Sequence, residues 1–427
     1  MDEPPGSVPP SKSVVSWRRN LYAITIAQWL AIVGFTLREP ILPFYLKDLG
    51  NLDTDAATRW SGFFAAGGGI TMAVTAPIWG LVGDRIGRKP MLLRSMIAAS
   101  ITIGLMGIVT APWHIVGLRL IEGAFTGTVT ASTALVATSA PKERLGFNLG
   151  LVQTAVFAGA AFGPTIGGFS AGHFGYRTTF MLSASTLVAS AILVIFFVQE
   201  VFVKPSPKSV KSEKQESQWA WMLGSVMLTM LATLVAVRFV QMGIRPVMPL
   251  YLQELGNFSD THAATVSGWM FGVLGVSSAA SAIIFGRHGD KVGHGRILFW
   301  CVLGAGVLYV PMAVAQNAWQ LIALQGLFGV AAGGMIPSAN AIIANVTPAD
   351  QRGFTFGITA TAGSVGAAVG PLLLSSLIAP TLGFAVAFVT VGILMSALAA
   401  VLWFVVRQRA EQMTITESRF IAPGRGD

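Results

Sequence analysis

The sequence predicts an all-α membrane protein of twelve transmembrane helices arranged as two pseudo-symmetric six-helix bundles, and three observations carry that expectation. Of its 427 residues 53% are hydrophobic and only 11% charged, where a soluble domain carries about a quarter charged residues. Apolar runs of roughly 20 residues, the length that crosses a hydrocarbon core of about 30 Å, recur along the whole chain. The first half is echoed in the second at a nearly constant offset.

The first apolar run, 20–47, follows a polar, Pro-rich start (PPGSVPPSKS) without a signal-cleavage pattern, so this helix is expected to be retained behind a cytoplasmic tail, 1–19. Arg38-Glu39-Pro40 interrupts it near its end. Spans two and three, 58–81 and 91–110, flank a turn rich in Gly and Arg; spans four to six, 113–139, 145–171 and 177–199, complete an N-terminal bundle of residues 20–200. Lys204, Lys208, Lys211 and Lys214, among Pro and Ser, mark 201–218 as a solvated cytoplasmic linker. Spans seven to twelve, 219–251, 261–285, 296–314, 318–346, 353–379 and 383–406, form a C-terminal bundle of residues 219–408, before a cytoplasmic tail, 409–427. Basic residues in short loops favour the cytoplasm. With both termini inside, 21 of the 28 Lys and Arg fall in cytoplasmic segments, Lys47, Arg59 and Arg177 fall outside, and Arg38, Arg119, Arg238 and Arg245 lie within spans. A monomer in the plasma (inner) membrane, in contact with membrane lipid, is the expected form.

The formal charge of +9 does not indicate nucleic acid, because the basic residues sit in short loops rather than on one wet surface. The single cysteine, Cys301, excludes an internal disulfide, and no metal set is expected. No nucleophile stands with a base, and no strand precedes the glycines around Gly87, so they form no nucleotide cradle. Neither enzyme activity nor a cofactor is expected.

The repeat is explicit. Pro40-Ile-Leu-Pro43-Phe-Tyr-Leu-Lys-Asp-Leu-Gly50 returns as Pro246-Val-Met-Pro249-Leu-Tyr-Leu-Gln-Glu-Leu-Gly256, an offset of 206. Gly80, Asp84 and Gly87 return as Gly286, Asp290 and Gly293 at the same offset, and Gly159-Ala-Ala-Phe-Gly-Pro164 returns as Gly366-Ala-Ala-Val-Gly-Pro371 at 207. Two related bundles place a cavity at their interface near mid-membrane, which rocking exposes to each side in turn.

Gly80-Leu-Val-Gly-Asp84-Arg85-Ile-Gly87-Arg88-Lys89 matches the pattern G-x-L-a-D-r-x-G-r-k, and Gly159-Ala-Ala-Phe-Gly163-Pro164-Thr-Ile-Gly167-Gly168 matches G-x-x-x-G-P-x-x-G-G. On these motifs, with Leu118-Arg119-Leu-Ile-Glu122-Gly123 close to R-x-x-q-G, the chain resembles the major facilitator superfamily over nearly its whole length, and within it the twelve-span drug/proton antiporters. Glu122 departs from the more usual glutamine. The resemblance implies that Asp84 latches against the N-terminal end of span eleven near Gly353, where a helix dipole favours an anion, and that the span-five motif marks an exporter. Gly87 permits the tight turn, and Arg85, Arg88 and Lys89 hold it in the cytoplasm. The second-half gate loop carries Asp290. The export motif decays there into leucines after Pro371, so no export role is read from it.

Ionisable residues at a helix centre cost about 2.5 to 3.5 kcal/mol on insertion scales, so six within spans point to function. Glu39 and Glu122 are the intramembrane carboxylates; Arg119 and Glu122 are three apart and can pair on one helix face. Burial disfavours a charged carboxylate and a neighbouring arginine favours it, which makes Glu39, Glu122 and Arg119 the candidates for proton coupling. Arg38 could belong to a structural ion-pair group with them. Arg238 and Arg245, seven apart, share a face of span seven, and Arg245 holds the repeat place of Glu39; it could pair with Glu39 as a gate. Four arginines against two glutamates suggest an anionic or zwitterionic small-molecule substrate. Arg38, Phe35, Arg238, Arg245, Gln325 and Asn340 are the expected cavity residues, with Trp29, Trp269, Phe271 and Met335 as further apolar candidates. The expected activity is proton-driven efflux of small amphipathic compounds by alternating access; a metabolite symporter and a flippase for lipids or lipid-linked sugars are the alternatives.

Overall fold

Where no water reaches, each backbone amide must find its partner inside its own segment, and a helix does this at every residue. The computed structural model describes residues 17–139, 145–200, 224–347 and 352–421, and all regular elements among them are helical. Twelve helical passes run between two faces of the molecule. The first six are α1 (Trp17–Thr36) with α2 (Leu42–Gly50), α3 (Thr54–Ile86), α4 (Arg88–Met106), α5 (Pro112–Phe125) with α6 (Thr128–Ser139), α7 (Leu145–Phe174) and α8 (Tyr176–Phe197). The last six are α9 (Ser225–Ile244) with α10 (Met248–Gly256), α11 (Asp260–Val292), α12 (His294–Ala313), α13 (Ala318–Val346), α14 (Arg352–Leu373) with a π-helical turn and α15 (Ala379–Leu382), and α16 (Phe384–Ile421). Among the described residues, ten stretches are long and apolar enough to cross a membrane. The passes opened by α1 and α4 fall short because Arg19, Asn20 and Gln28 dilute one apolar average and Arg88, Lys89 and Arg94 the other.

Four passes expected to be continuous are broken. Pro40 and Pro246 have no N–H to donate one turn back, so α1 and α9 stop and restart as α2 and α10, each with a proline in its first turn. Thr126 and Gly127 separate α5 from α6, and α14 relaxes into its π-helical turn at Leu374–Ile378 before α15. Breaks of this kind persist in a membrane where protein or a cavity surrounds them.

The repeat is present in atomic detail. Both α2 and α10 end on an asparagine at φ 48°, Asn51 and Asn257. Tyr45 Oη donates to Met106 O at 2.9 Å, and Tyr251 Oη donates to Met312 O at 3.0 Å, with both partners 206 residues on. Each half has its own apolar core, one around Tyr45, Met96 and Phe180 and one around Tyr251, Tyr309 and Phe388. Leu250, Ala263 and Ala264 of the second half pack into the first core.

Among the described residues the halves meet on one side only. Call the basic face the one where α3 hands over to α4, and the far face the one where α2 hands over to α3. In the far half α3 crosses α14 and α7 crosses α11: Thr165 Oγ1 donates to Gly268 O (3.2 Å), Thr265 Oγ1 to Gly168 O (3.0 Å) and Ser376 Oγ to Arg59 O (3.1 Å). A Cβ on Gly69 would stand 3.3 Å from Ala368 Cα. Toward the basic face the same helix faces carry Gly80, Gly150, Gly286 and Gly357, where an added Cβ would meet nothing within 4 Å. Among the described residues the halves are sealed together at the far face and stand apart at the basic one. The expected linker at 201–218 lies outside the described residues, as do the side chains of Asp84 and of the residues beside its expected dock at Gly353.

Candidate functional site

The two proline breaks bring Glu39 and Arg245 together. Both stand at repeat-equivalent places beside the pseudo-two-fold axis, so each faces its counterpart across the bundle interface. Arg245 Nη2 lies 2.7 Å from Glu39 Oε2, with the side chains 28% and 24% exposed. Neither Glu39 Oε2 nor Arg245 Nε makes a hydrogen bond, so the contact is an ion pair without aligned donors. Arg245 also lies over the Phe271 ring, 5.6 Å from its centroid. Lys47 and Gln253, also 206 apart, meet in the same seal at 3.3 Å, and Lys47 reaches Asp260 at 3.5 Å.

Glu122 is held quite differently. Its carboxylate, 1% exposed, accepts both terminal nitrogens of Arg38 at 2.7 and 2.6 Å and Arg119 Nη1 at 2.5 Å, all within the first bundle. Arg38 and Arg119 flank the Phe64 ring at 5.3 and 5.0 Å. The structure therefore divides the three residues expected to share one proton site: Arg119 and Glu122 join Arg38, and Glu39 turns to the other half. Consecutive side chains diverge at the break in the first pass, and Arg38 points inward while Glu39 points to the interface. Arg38, expected to line the cavity, is 3% exposed and its fork is filled by Glu122. Gln325, also expected there, is 3% exposed and donates to Met248 Sδ at 3.0 Å inside the second core. Met335 is likewise buried. Phe35, Arg238 and Asn340 are half-buried, and Trp269 is exposed.

The span-five glycines are close-approach points on two sides of α7. Gly159 and Gly163 lie against Ile32, Val33 and Thr36 of α1, and Gly167 against the Leu37 backbone. Gly168 meets α11, where an added Cβ would stand 3.1 Å from Gly268 Cα, and the Pro164 carbonyl faces Gly268 in turn. Small residues at such crossings let backbones approach closely.

In the loop between α3 and α4, Gly87 sits at φ 104°, a conformation that favours glycine, and its counterpart Gly293 at φ 94°. Arg85 is exposed, Gly80 borders open space, and Asp290 lies 3.1 Å from His294. The residue that organises this loop is one the sequence reading missed. Glu200, just beyond α8, accepts from the backbone N–H of Arg88 (2.7 Å) and of Lys89 (2.8 Å), and the Lys89 ammonium donates to Val198 O (2.7 Å) and Ile195 O (3.0 Å). A carboxylate at a helix N-terminus satisfies orphan donors and the dipole together. Glu200→Ala is expected to lower stability by about 0.5–2 kcal/mol, the usual worth of a helix N-cap, read as a lower thermal unfolding temperature in detergent. Arg94 was also missed: its guanidinium lies 3.7 Å over Trp79, and with Trp79 Nε1 it satisfies the carbonyls of Ala124, Phe125 and Thr126 at the α5–α6 break. A short acid at a span end and an arginine inside a span are the signals that could have found both.

Comparison with known proteins agrees with this architecture. A family model described as Major Facilitator Superfamily matches residues 24–266 and 230–422. Multidrug resistance protein MdtG of Serratia proteamaculans (strain 568) is 31% identical over 405 residues, covering 95% of this chain and 98% of that protein. Multi-drug resistance efflux pump PmrA of Streptococcus pneumoniae (strain ATCC BAA-255 / R6) is 33% identical over 358 residues, 84% of this chain and 89% of its own. Among solved structures, a bacterial homologue of the human lysosomal transporter Spinster, in an inward-facing and unoccupied conformation, superposes with a TM-score of 0.73 at 14% identity, covering 93% of this chain and 98% of that one.

Proposed function

Because the chain belongs to the major facilitator superfamily and is a multi-pass membrane protein, we propose that it expels small amphipathic compounds, drugs among them, in exchange for protons by alternating access. The names of its relatives, multidrug resistance protein and efflux pump, support the substrate class. The observation that carries the mechanism is the one-sided contact between the halves, with the Glu39–Arg245 ion pair bridging them inside that seal. The distribution of basic residues supports a cytoplasmic open face and an external far face, and the efflux reading supports the plasma (inner) membrane as the location.

In this reading the far face opens by parting the halves, which takes Arg245 away from Glu39. The remaining charged groups that act on Glu39 are Arg38 and Arg119, and both are committed to Glu122. An uncompensated carboxylate in a weakly solvated interior is neutralised by a proton, and in this state the source is the external water. Return to the sealed state brings Arg245 back, expels the proton toward the cytoplasm and reopens the cavity to substrate. Glu122 is unsuited to that task, because protonating it would strand two arginines in a bundle that does not come apart. Glu39 is therefore the coupling residue and Glu122 a structural one.

The test uses inside-out vesicles from an efflux-deficient host, with the gradient followed by a pH-sensitive dye. Addition of a transported drug is expected to dissipate the proton gradient in vesicles carrying the chain and not in empty-vector vesicles, and the host is expected to gain resistance to several unrelated drugs. Unaltered resistance across a panel, with no drug-linked proton movement, would turn the assignment to the symporter or flippase alternatives.

A further inference from the structure

Arg238 is left over once the ion pairs are assigned. It stands on α9, seven residues before Arg245 and on the same helix face, which places it about 10 Å toward the cytoplasm from the seal at about 1.5 Å per residue. Among the described residues no carboxylate pairs with it; the charged side chain that acts on it is Arg245, another cation. It is half-buried, and beside it α14 presents Gly363, where an added Cβ would stand 3.5 Å from Arg238 Cγ. The absence of a side chain at Gly363 leaves room next to the guanidinium. The equivalent place in the first half, 206 residues earlier, is Ile32, so this charge has no counterpart across the axis.

A half-buried guanidinium near mid-membrane, with no counter-charge among the described residues, matches the geometry of carboxylate and phosphonate groups through its planar fork. We propose that Arg238 is the docking point for an anionic group of the transported compound: a carboxylate, sulfonate or phosphonate on an otherwise apolar molecule. This rests on the export reading for the meaning of the site, but the binding itself does not. Each substrate then carries its own counter-charge to Arg238, and a cationic amphiphile is disfavoured by the same residue.

Two dyes on one xanthene scaffold serve as probes, anionic carboxyfluorescein and cationic rhodamine 123. Their equilibrium binding to the purified full chain in detergent is read by fluorescence anisotropy, and their uptake in inside-out vesicles is read in parallel. The wild type is expected to bind carboxyfluorescein more tightly than rhodamine 123. Arg238→Gln is expected to weaken carboxyfluorescein about tenfold or more, the scale of one charged hydrogen bond, and to strengthen rhodamine 123, while Arg238→Lys retains most of the anion preference. Equal carboxyfluorescein binding by wild type and Arg238→Gln, or equal loss of both dyes in the variant, would overturn the assignment. If the binding preference inverts as expected but neither dye is pumped, the export reading fails and the anion site stands.

Discussion

Glu39→Gln is expected to abolish uphill export. One proton exchanged per substrate across a gradient of about two pH units, with no membrane potential, supplies roughly 2.7 kcal/mol and sustains about a hundredfold accumulation. Glutamine keeps the shape of Glu39 and cannot take or release the proton, so the accumulation ratio in proteoliposomes should fall to about 1. The wild-type rate should rise as the external side is acidified, because protonation of Glu39 follows its separation from Arg245, and the variant's rate should be flat over the same pH range. Downhill counterflow should suffer less than uphill transport, since it needs rocking without net proton movement. A Glu39→Gln protein that still concentrates substrate with the wild-type pH dependence would remove Glu39 from the mechanism. The fold should tolerate the change, because both partners of this pair are about a quarter exposed and glutamine keeps the size and shape of the glutamate.

Glu122→Ala should show the opposite balance, a large loss of stability. The carboxylate is 1% exposed and holds Arg38, whose side chain is 4% exposed. Removing one partner of a buried pair leaves an uncompensated charge and typically costs about 3–5 kcal/mol. The expected outcome is a sharply lower unfolding temperature in detergent, or loss of folded protein from the membrane. Replacing the pair together, Arg38→Met with Glu122→Met, should recover most of the loss, since Arg119 remains 24% exposed and can reach water. If Glu122→Ala were as stable as wild type but unable to couple protons, the roles given to the two glutamates would have to be exchanged.

Much of the fold was legible in the chain because it is written locally. Apolar run length and the offset of 206 residues specify helices and duplication with no knowledge of packing, and the three-residue spacing of Arg119 and Glu122 sets their contact on one helix face. The prolines at 40 and 246 were visible too, although the sequence reading carried each span through them as one helix. The candidate site was legible as a set of residues and not as a set of partners. Arg38 and Glu39 are neighbours in sequence and find their partners in different bundles, because the broken turn sends their side chains apart. Glu200 drew no attention, since its partners are backbone amides 111 and 112 residues away and a single acid at a span end looks like ordinary solvated surface.

By itself, then, the sequence determined a duplicated bundle of membrane helices with a charged interior, since hydropathy and periodicity act within single segments. Tertiary structure alone decided that Arg38 goes to Glu122, that Arg245 reaches across the axis to Glu39, and that Arg238 meets no carboxylate among the described residues. The physical reason is that a duplicated chain places equivalent positions opposite one another at the pseudo-two-fold axis. Which charges meet there depends on how the bundles dock and on which way each helix break turns its side chains.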